Sequence, residues 1–162
     1  MKIARVTLSD RAADGVYEDK SGPEIERVVA ECFDEQLEWT RILLPDNREQ
    51  IQDALRKLAD IENCLLIITT GGTGPAPRDV TPEATRAVIE KELPGFGETM
   101  RAHSYAKVKT AILSRATAGV RGKTLIINLP GRPSAIAESL PLLLPAISEA
   151  LDHIAGYRPK LR

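Results

Sequence analysis

Hydrophobic positions along this chain alternate between strand-like runs and helix-like spacing. Residues 2–8, 38–44, 64–70 and 123–128 form short apolar or β-branched runs that predict strands. The run 64–70 is almost continuously apolar, as is typical of a strand buried on both faces of a parallel sheet, and 123–128 predicts a second buried strand. Residues 111–122 have a weaker pattern, which we interpret as a short strand and part of a hairpin.

Between these runs, apolar residues recur every three or four positions and predict helices. A helix that reaches about Lys91 is predicted after 64–70, and a short helix over 98–106. Residues 133–155 also have helical spacing, but Pro141 and Pro145 predict that this helix is kinked or divided. Capping signals mark three helix starts: Ser21 with Glu24, Asp46 with Glu49, and Thr81 with Pro82.

The alternation of strands and helices predicts one layered α/β domain over residues 1–162, because helical crossovers join consecutive parallel strands. Charge is nearly balanced, with 22 basic and 23 acidic residues, so no nucleic-acid partner is expected. No apolar stretch reaches about 18 residues, and the two cysteines form no disulfide framework. We therefore expect a cytoplasmic protein without a membrane partner.

The chain's most distinctive polar groups and glycines follow four predicted strands. The carboxyl ends of parallel strands meet at one edge of a sheet, where ligands bind in open α/β folds. We therefore expect the four segments to converge on one cleft. They are Ser9-Asp10-Arg11, Pro45-Asp46, Gly71-Gly72-Thr73-Gly74 with Asp79, and the turn from Asn128 to Pro133.

Residues 71–74, which we name the glycine loop, are the strongest candidate for binding phosphate. Residues without a Cβ atom permit positive φ and let backbone N–H groups approach an anion. The loop is neither a Walker A motif nor a GxGxxG motif, because no Gly-Lys-Ser/Thr follows it and Pro77 replaces the last glycine. A tight turn without a ligand is the alternative, but three glycines in four residues favour phosphate binding.

The other polar groups have competing interpretations. Asp79 could hold Mg²⁺ beside phosphate oxygens, or only stabilise the positive end of the following helix. The spacing explains Asp46 fully as a helix N-cap. Asn128 and Ser134 could bond a base or ribose and Arg132 an anion, but ordinary turn chemistry explains them equally well. No cluster of histidines and cysteines indicates zinc, and no Ser-His-Asp pattern is present.

Several longer motifs extend over nearly the whole chain. In combination they resemble the MogA and MoaB family of molybdenum-cofactor biosynthesis proteins, and the segments 74–79 and 129–136 are more similar to MogA. The motifs are Thr69–Pro75, Arg78–Thr85, Pro94–Glu98 and Leu129–Gly131, together with Ser9–Arg11, Gly15–Tyr17, Asp19–Pro23, Leu113–Arg115 and Tyr157–Lys160.

The resemblance implies a three-layer α/β/α domain with a mostly parallel sheet that binds molybdopterin. MogA-type members are molybdopterin adenylyltransferases, in which the terminal phosphate of the pterin attacks the α-phosphate of Mg-ATP and pyrophosphate leaves. The resemblance implies a homotrimer and a downstream metal-inserting partner, and it makes Asp46 and Asp79 catalytic residues that hold Mg²⁺. The substrate-binding residues that it implies are Gly71, Gly72, Thr73, Gly74, Ser114, Asn128, Pro130, Gly131 and Ser134.

Two other functions stay open. A MoaB-like relative would be a non-catalytic module that carries molybdopterin, although the presence of both Asp46 and Asp79 favours catalysis. The glycine loop and Asp79 would also suit a nucleotide hydrolase, as in the related domain of CinA-like proteins.

Overall fold

The computed structural model describes all 162 residues and contains one six-stranded sheet with the strand order β2-β1-β3-β6-β5-β4. Strands β2, β1, β3 and β6 are parallel, and β5 runs antiparallel to both β6 and β4. The prediction of an α/β fold with a mostly parallel sheet is therefore confirmed. The strands are β1 Lys2–Leu8, β2 Glu38–Leu44, β3 Leu66–Thr70, β4 Lys91–Glu92, β5 Ala118–Arg121 and β6 Thr124–Leu129.

Helices cover both faces of this sheet and give the three layers that the family resemblance implies. Helices α2, α5 and α6 pack on one face, and α3 and α4 pack on the other. A π-helical turn, Lys57–Ile61, extends α3, and a 3₁₀ turn, Lys109–Leu113, follows α5. The helices are α1 Asp10–Ala13, α2 Ser21–Cys32, α3 Arg48–Arg56, α4 Thr81–Val88, α5 Gly95–Tyr105 and α6 Pro133–Ala155.

The two hydrophobic cores explain the pattern of the central strands. Successive residues of a strand point to opposite faces, so Ile68 contributes to the core under α2, α5 and α6, while Ile67 contributes to the core under α3 and α4. Every residue of β3 and β6 is buried. Burial on both faces is the reason that these two strands are almost continuously apolar.

All three predicted helix caps are wrong by one or two residues, beginning with those of α3 and α2. Asn47, not Asp46, caps α3, because its Oδ1 accepts a hydrogen bond from Gln50 N at 3.0 Å. At the start of α2, Asp19 Oδ1, and not the Ser21 side chain, accepts a hydrogen bond from Gly22 N at 2.9 Å. In both cases a neighbouring polar residue has the cap geometry, which leaves the predicted residue free for contacts at the sheet edge.

Thr81 is the first residue of α4 and not its N-cap. Its hydroxyl donates to Gly71 O at 2.9 Å, so it fixes the glycine loop instead of the helix.

Two predicted helix bounds also differ from the structure. Helix α4 ends at Val88, and Lys91 belongs to β4. Helix α5 begins at Gly95, before the predicted position 98.

Helix α6 is not divided, although Pro141 and Pro145 lie inside it. Both prolines lie on the exposed side of the helix. By length and hydropathy alone, the helix could cross a membrane. One side of it nevertheless forms part of the larger core, through buried residues that include Ile136, Leu140, Leu143, Ile147 and Leu151.

Candidate functional site

The four polar segments predicted to converge do meet at the carboxyl edge of the sheet. Parallel pairing of β2, β1, β3 and β6 places their ends side by side. Ser9 N donates to Leu44 O at 3.0 Å, which joins the ends of β1 and β2. Thr70 Oγ1 donates to Pro130 O at 2.7 Å, which joins the ends of β3 and β6. The convergence expected from strand direction is thus confirmed.

The glycine loop turns all four of its carbonyl groups toward the protein. Gly71 and Gly72 have φ angles of 93° and 66°, a region that favours glycine. The hydroxyl and the amide of Thr81 donate to the first two carbonyl oxygens, and the amide and guanidinium of Arg115 donate to the last two. The backbone of the loop is therefore anchored from two other elements.

The N–H groups of the glycine loop, unlike its carbonyl groups, mostly have no hydrogen-bond partner in the protein. Gly71 N donates to Leu129 O at 3.3 Å, but the N–H groups of Gly72, Thr73 and Gly74 donate to no protein atom. Three successive backbone donors without a protein partner leave a place for water or an anion. The glycine loop is therefore a candidate nest for an anion.

Arg115 links the glycine loop to the segment that carries Asp79. Its Nε donates to Gly74 O at 3.0 Å and its Nη2 donates to Asp79 O at 2.9 Å, while Nη1 is paired with Glu83. Sequence reasoning found no signal in Ser114-Arg115 by itself. Backbone carbonyls accept two of the three contacts, and such contacts leave no residue-type pattern to detect.

Asp46 has one paired and one unpaired carboxylate oxygen. Oδ2 accepts from Asp10 N at 3.1 Å, whereas Oδ1 is buried and has no hydrogen-bond partner. A Cβ atom on Gly72 would lie 3.1 Å from Oδ1, so the missing side chain keeps space beside this oxygen. Burial raises the pKa of Asp46, and the negative charges of Asp10 and Asp79 raise it further. Such an oxygen is a candidate ligand for a cation.

Asp79 lies at the other end of the glycine loop. Its Oδ2 accepts from Ala76 N at 3.0 Å, and a Cβ atom on Gly74 would lie 2.8 Å from it. The side chains of Asp46 and Asp79 thus adjoin two glycines of one loop. No group of three or more His, Cys, Asp or Glu side chains forms a complete metal cage. The pair fits Mg²⁺, which usually takes one or two carboxylates and completes its shell with water and substrate phosphates.

A cavity of about 260 Å³ lies beside the glycine loop, between α5, the 3₁₀ turn and the start of α6. Three of the predicted site residues line it, namely Ser114, Pro130 and Ser134. Gly131 brings the two regions together, because a Cβ atom on it would lie 3.4 Å from the Cα of Gly71. Most charged residues of its wall are cationic, namely Arg101, Lys107 and Arg132, and the single carboxylate, Glu138, pairs with Lys107 at 3.4 Å.

Asn128 is the most deeply buried of the predicted binding residues. Its side chain is fully buried. Nδ2 donates to Thr69 Oγ1 at 3.1 Å and to Thr85 Oγ1 at 2.9 Å, and Oδ1 accepts from Thr117 N at 3.4 Å. These internal bonds use both amide hydrogens, so the Asn128 side chain has no free donor for a base or ribose. Asn128 ties β6 to β3 and α4.

A family model described as a probable molybdopterin binding domain matches residues 4–149. The chain belongs to this family. The molybdopterin adenylyltransferase of Helicobacter pylori (strain J99) is 51% identical to it over 154 residues, which cover 95% of this chain and 88% of the relative.

Solved structures of molybdopterin-biosynthesis proteins share the fold of this family member. The MoaB protein of Thermus thermophilus superposes with a TM-score of 0.89 at 42% identity, over 98% of this chain and 99% of that one. A MogA structure superposes with a TM-score of 0.86 at 37% identity, over 96% and 100% of the two chains. The family named from the sequence motifs is thus confirmed.

Proposed function

We propose that this chain is a molybdopterin adenylyltransferase, which transfers AMP from Mg-ATP to the terminal phosphate of molybdopterin in molybdenum-cofactor biosynthesis. The observation that carries the proposal is the set of three unpaired N–H groups in the glycine loop, with Asp46 and Asp79 beside them. The name of the Helicobacter pylori relative, 51% identical over 95% of this chain, supports the same reaction.

The reaction requires alignment and charge neutralisation more than covalent help from the protein. A phosphate oxygen of molybdopterin attacks the α-phosphorus of ATP. A new P–O bond forms as the bond from the α-phosphorus to the bridging oxygen breaks, and pyrophosphate leaves with the electron pair. The N–H groups of Gly72, Thr73 and Gly74 would donate to phosphate oxygens of the nucleotide, because they are the unpaired donors of the loop.

Asp46 and Asp79 would hold the Mg²⁺ ion of Mg-ATP. When bound, the ion would neutralise charge on the polyphosphate and orient it. The unpaired Oδ1 of Asp46 supports this role, because a buried carboxylate oxygen without a partner is costly in a site that binds nothing. The contacts of the chain to the nucleotide and the ion would together fix the α-phosphate in front of the attacking oxygen.

The cationic cavity would hold the pterin. The hydroxyl groups of Ser114 and Ser134 offer hydrogen bonds, and Arg101, Lys107 and Arg132 offer positive charge to an anionic substrate. Pro130 and Gly131 form the border between this cavity and the glycine loop. The phosphate of a pterin in the cavity would thus lie near a nucleotide in the loop.

A homotrimer in the cytoplasm is part of the proposal. Four apolar side chains between the end of α5 and the end of the 3₁₀ turn are exposed in the single chain, and Ile112 is 65% exposed. The others are Tyr105, Val108 and Leu113. A second copy of the chain is a suitable partner to bury them. Both cysteines are free, as is usual in a reducing compartment. A metal-inserting protein would take the adenylylated product downstream.

The direct test mixes the purified protein with Mg-ATP and molybdopterin and separates the products by chromatography. Adenylylated pterin and one equivalent of pyrophosphate are the expected products, and both should be missing without protein. Pterin binding without product would support instead the non-catalytic carrier that MoaB-like members suggest. Hydrolysis of a pyridine nucleotide, with no transfer to the pterin, would identify the CinA-like alternative. Sedimentation of the same sample tests the trimer.

A further inference from the structure

The carboxylate of Asp10 lies at the centre of the polar contacts at the carboxyl edge, although the reaction described above does not use it. Its Oδ1 accepts from Asp46 N at 2.9 Å. Both of its oxygens also accept from Arg78, with Nε–Oδ2 and Nη2–Oδ1 distances of 2.9 Å. One side chain therefore contacts the residue that offers the unpaired oxygen and the residue that precedes Asp79.

The contact with Asp46 is reciprocal. Asp10 N donates to Asp46 Oδ2 at 3.1 Å, while Asp46 N donates to the Asp10 carboxylate. Two hydrogen bonds between adjacent strand ends leave the Asp46 side chain little rotational freedom. They also occupy Oδ2, so that Oδ1 is the oxygen left for a ligand.

The contact with Arg78 reaches the other carboxylate. Arg78 lies in the exposed segment 75–78 between the glycine loop and Asp79, and its side chain is 67% exposed. Its guanidinium pairs with Asp10 in a two-bond fork, a geometry that specifies orientation as well as distance. An ion pair this exposed contributes little to folding stability. Its consequence is therefore geometric, because it ties the Asp79 segment to the ends of β1 and β2.

We propose that Asp10 is a positioning residue of the transferase, which sets the separation of the Asp46 and Asp79 carboxylates by holding Asp46 directly and the Asp79 segment through Arg78. This inference rests on the proposed function, since those carboxylates would hold Mg-ATP. Asp10 itself contacts no substrate in this account. Its removal should therefore affect Mg-ATP and leave the pterin unaffected.

The test compares Asp10→Asn, Arg78→Met and the double variant. Asparagine keeps an acceptor for Asp46 N but loses the ion pair, and methionine keeps the stem of Arg78 without its charge. Each single variant should weaken Mg-ATP binding by about tenfold in calorimetry, since small displacements at a reacting centre cost up to about a hundredfold. The double variant should be no weaker than the poorer single variant, because both changes break one contact. Arg78→Lys should recover part of the affinity.

A matched control lies at the opposite edge of the sheet, where Arg121 pairs with Asp60 through the same fork, at 2.9 and 2.7 Å. Arg121→Met should leave Mg-ATP affinity and turnover at the wild-type level. Unchanged affinity in Asp10→Asn and Arg78→Met, or losses that multiply in the double variant, would overturn the inference. An equal loss in Arg121→Met would do the same, because the effect would then be general destabilisation.

Failure of the proposed function gives a different result. If the wild-type protein binds Mg-ATP but forms no adenylylated pterin, the proposed transferase function is excluded. The Mg-ATP affinities of the single and double variants then still decide the role of Asp10. Turnover in the variants adds a second readout. The KM for Mg-ATP should rise in both single variants while the KM for molybdopterin stays unchanged, a split that a merely structural role would not produce.

Discussion

The carboxyl edge and the amino edge of the sheet contain similar residues with different hydrogen-bond partners. Gly72 at the carboxyl edge and Gly122 at the amino edge both have positive φ, 66° and 56°. Gly122 N donates to Glu90 Oε1 at 2.6 Å, but Gly72 N has no protein partner. A left-handed glycine therefore marks a turn at either edge, and only the unpaired N–H marks a candidate binding site.

The charged groups differ in the same way. At the amino edge, both carboxylate oxygens of Asp60 accept from Arg121. At the carboxyl edge, Asp46 keeps a buried oxygen without a donor. Folded proteins satisfy nearly all buried polar groups, so the unpaired oxygen of Asp46 indicates function more than stability. Variants at matched positions on the two edges test this contrast.

The largest contrast is expected between the two aspartates Asp79 and Asp60. Asp79→Asn should reduce adenylyl transfer by at least about a hundredfold, because it removes charge from the proposed Mg²⁺ site. Its thermal midpoint should stay close to that of the wild type, since Asn can still accept from Ala76 N. Asp60→Asn should leave the turnover number unchanged. Initial rates of pyrophosphate release measure the turnover of both variants. Normal turnover in Asp79→Asn would show that this residue has no part in the mechanism.

The two left-handed glycines provide the next contrast. In Gly72→Ala the new Cβ would collide with Thr81 Oγ1 and approach Asp46 Oδ1, so nucleotide affinity should fall by about tenfold or more. In Gly122→Ala the Cβ meets no atom within 4 Å, so only the strain of positive φ remains, about 1–2 kcal/mol of unfolding free energy. Calorimetry with Mg-ATP and chemical unfolding separate the two effects. Equal nucleotide affinity in both variants would contradict the assignment of the loop.

The smallest expected effect is the stability of Asp46→Asn. The pKa of Asp46 is higher in the folded protein than in the unfolded chain, because burial disfavours its charge. Its ionised form therefore lowers stability at neutral pH, and this loss disappears as the pH falls through the folded-state pKa. Asp46→Asn should raise the thermal midpoint by about 2 °C at most near pH 7.

The difference in midpoint between Asp46→Asn and wild type should shrink as the pH is lowered, because wild-type Asp46 then becomes protonated. Thermal unfolding from pH 7 down to pH 4 measures this trend. A difference that grows on acidification would show that the charge of Asp46 stabilises the folded protein, and it would exclude the unpaired-oxygen account of this residue.

The sequence by itself determined the class of fold and the edge at which the candidate site lies. Apolar runs at 64–70 and 123–128 predict strands buried on both faces, and parallel pairing of such strands places their ends together. The glycines of loop 71–74 were also recognisable, since their residue type limits the backbone directly. These features depend on local periodicity and on single residue types, which a sequence displays openly.

Only the tertiary structure decided which polar groups are free. Sequence spacing suited Asp46 for capping, and the family resemblance implied that Asn128 binds substrate. Asn47 caps the helix instead, and Asn128 is bonded internally. Asp10 and Arg115 acquire their roles from partners 36 to 68 positions away along the chain. A hydrogen bond depends on distance and angle in space, and the linear order of residues does not specify either before the sheet has formed.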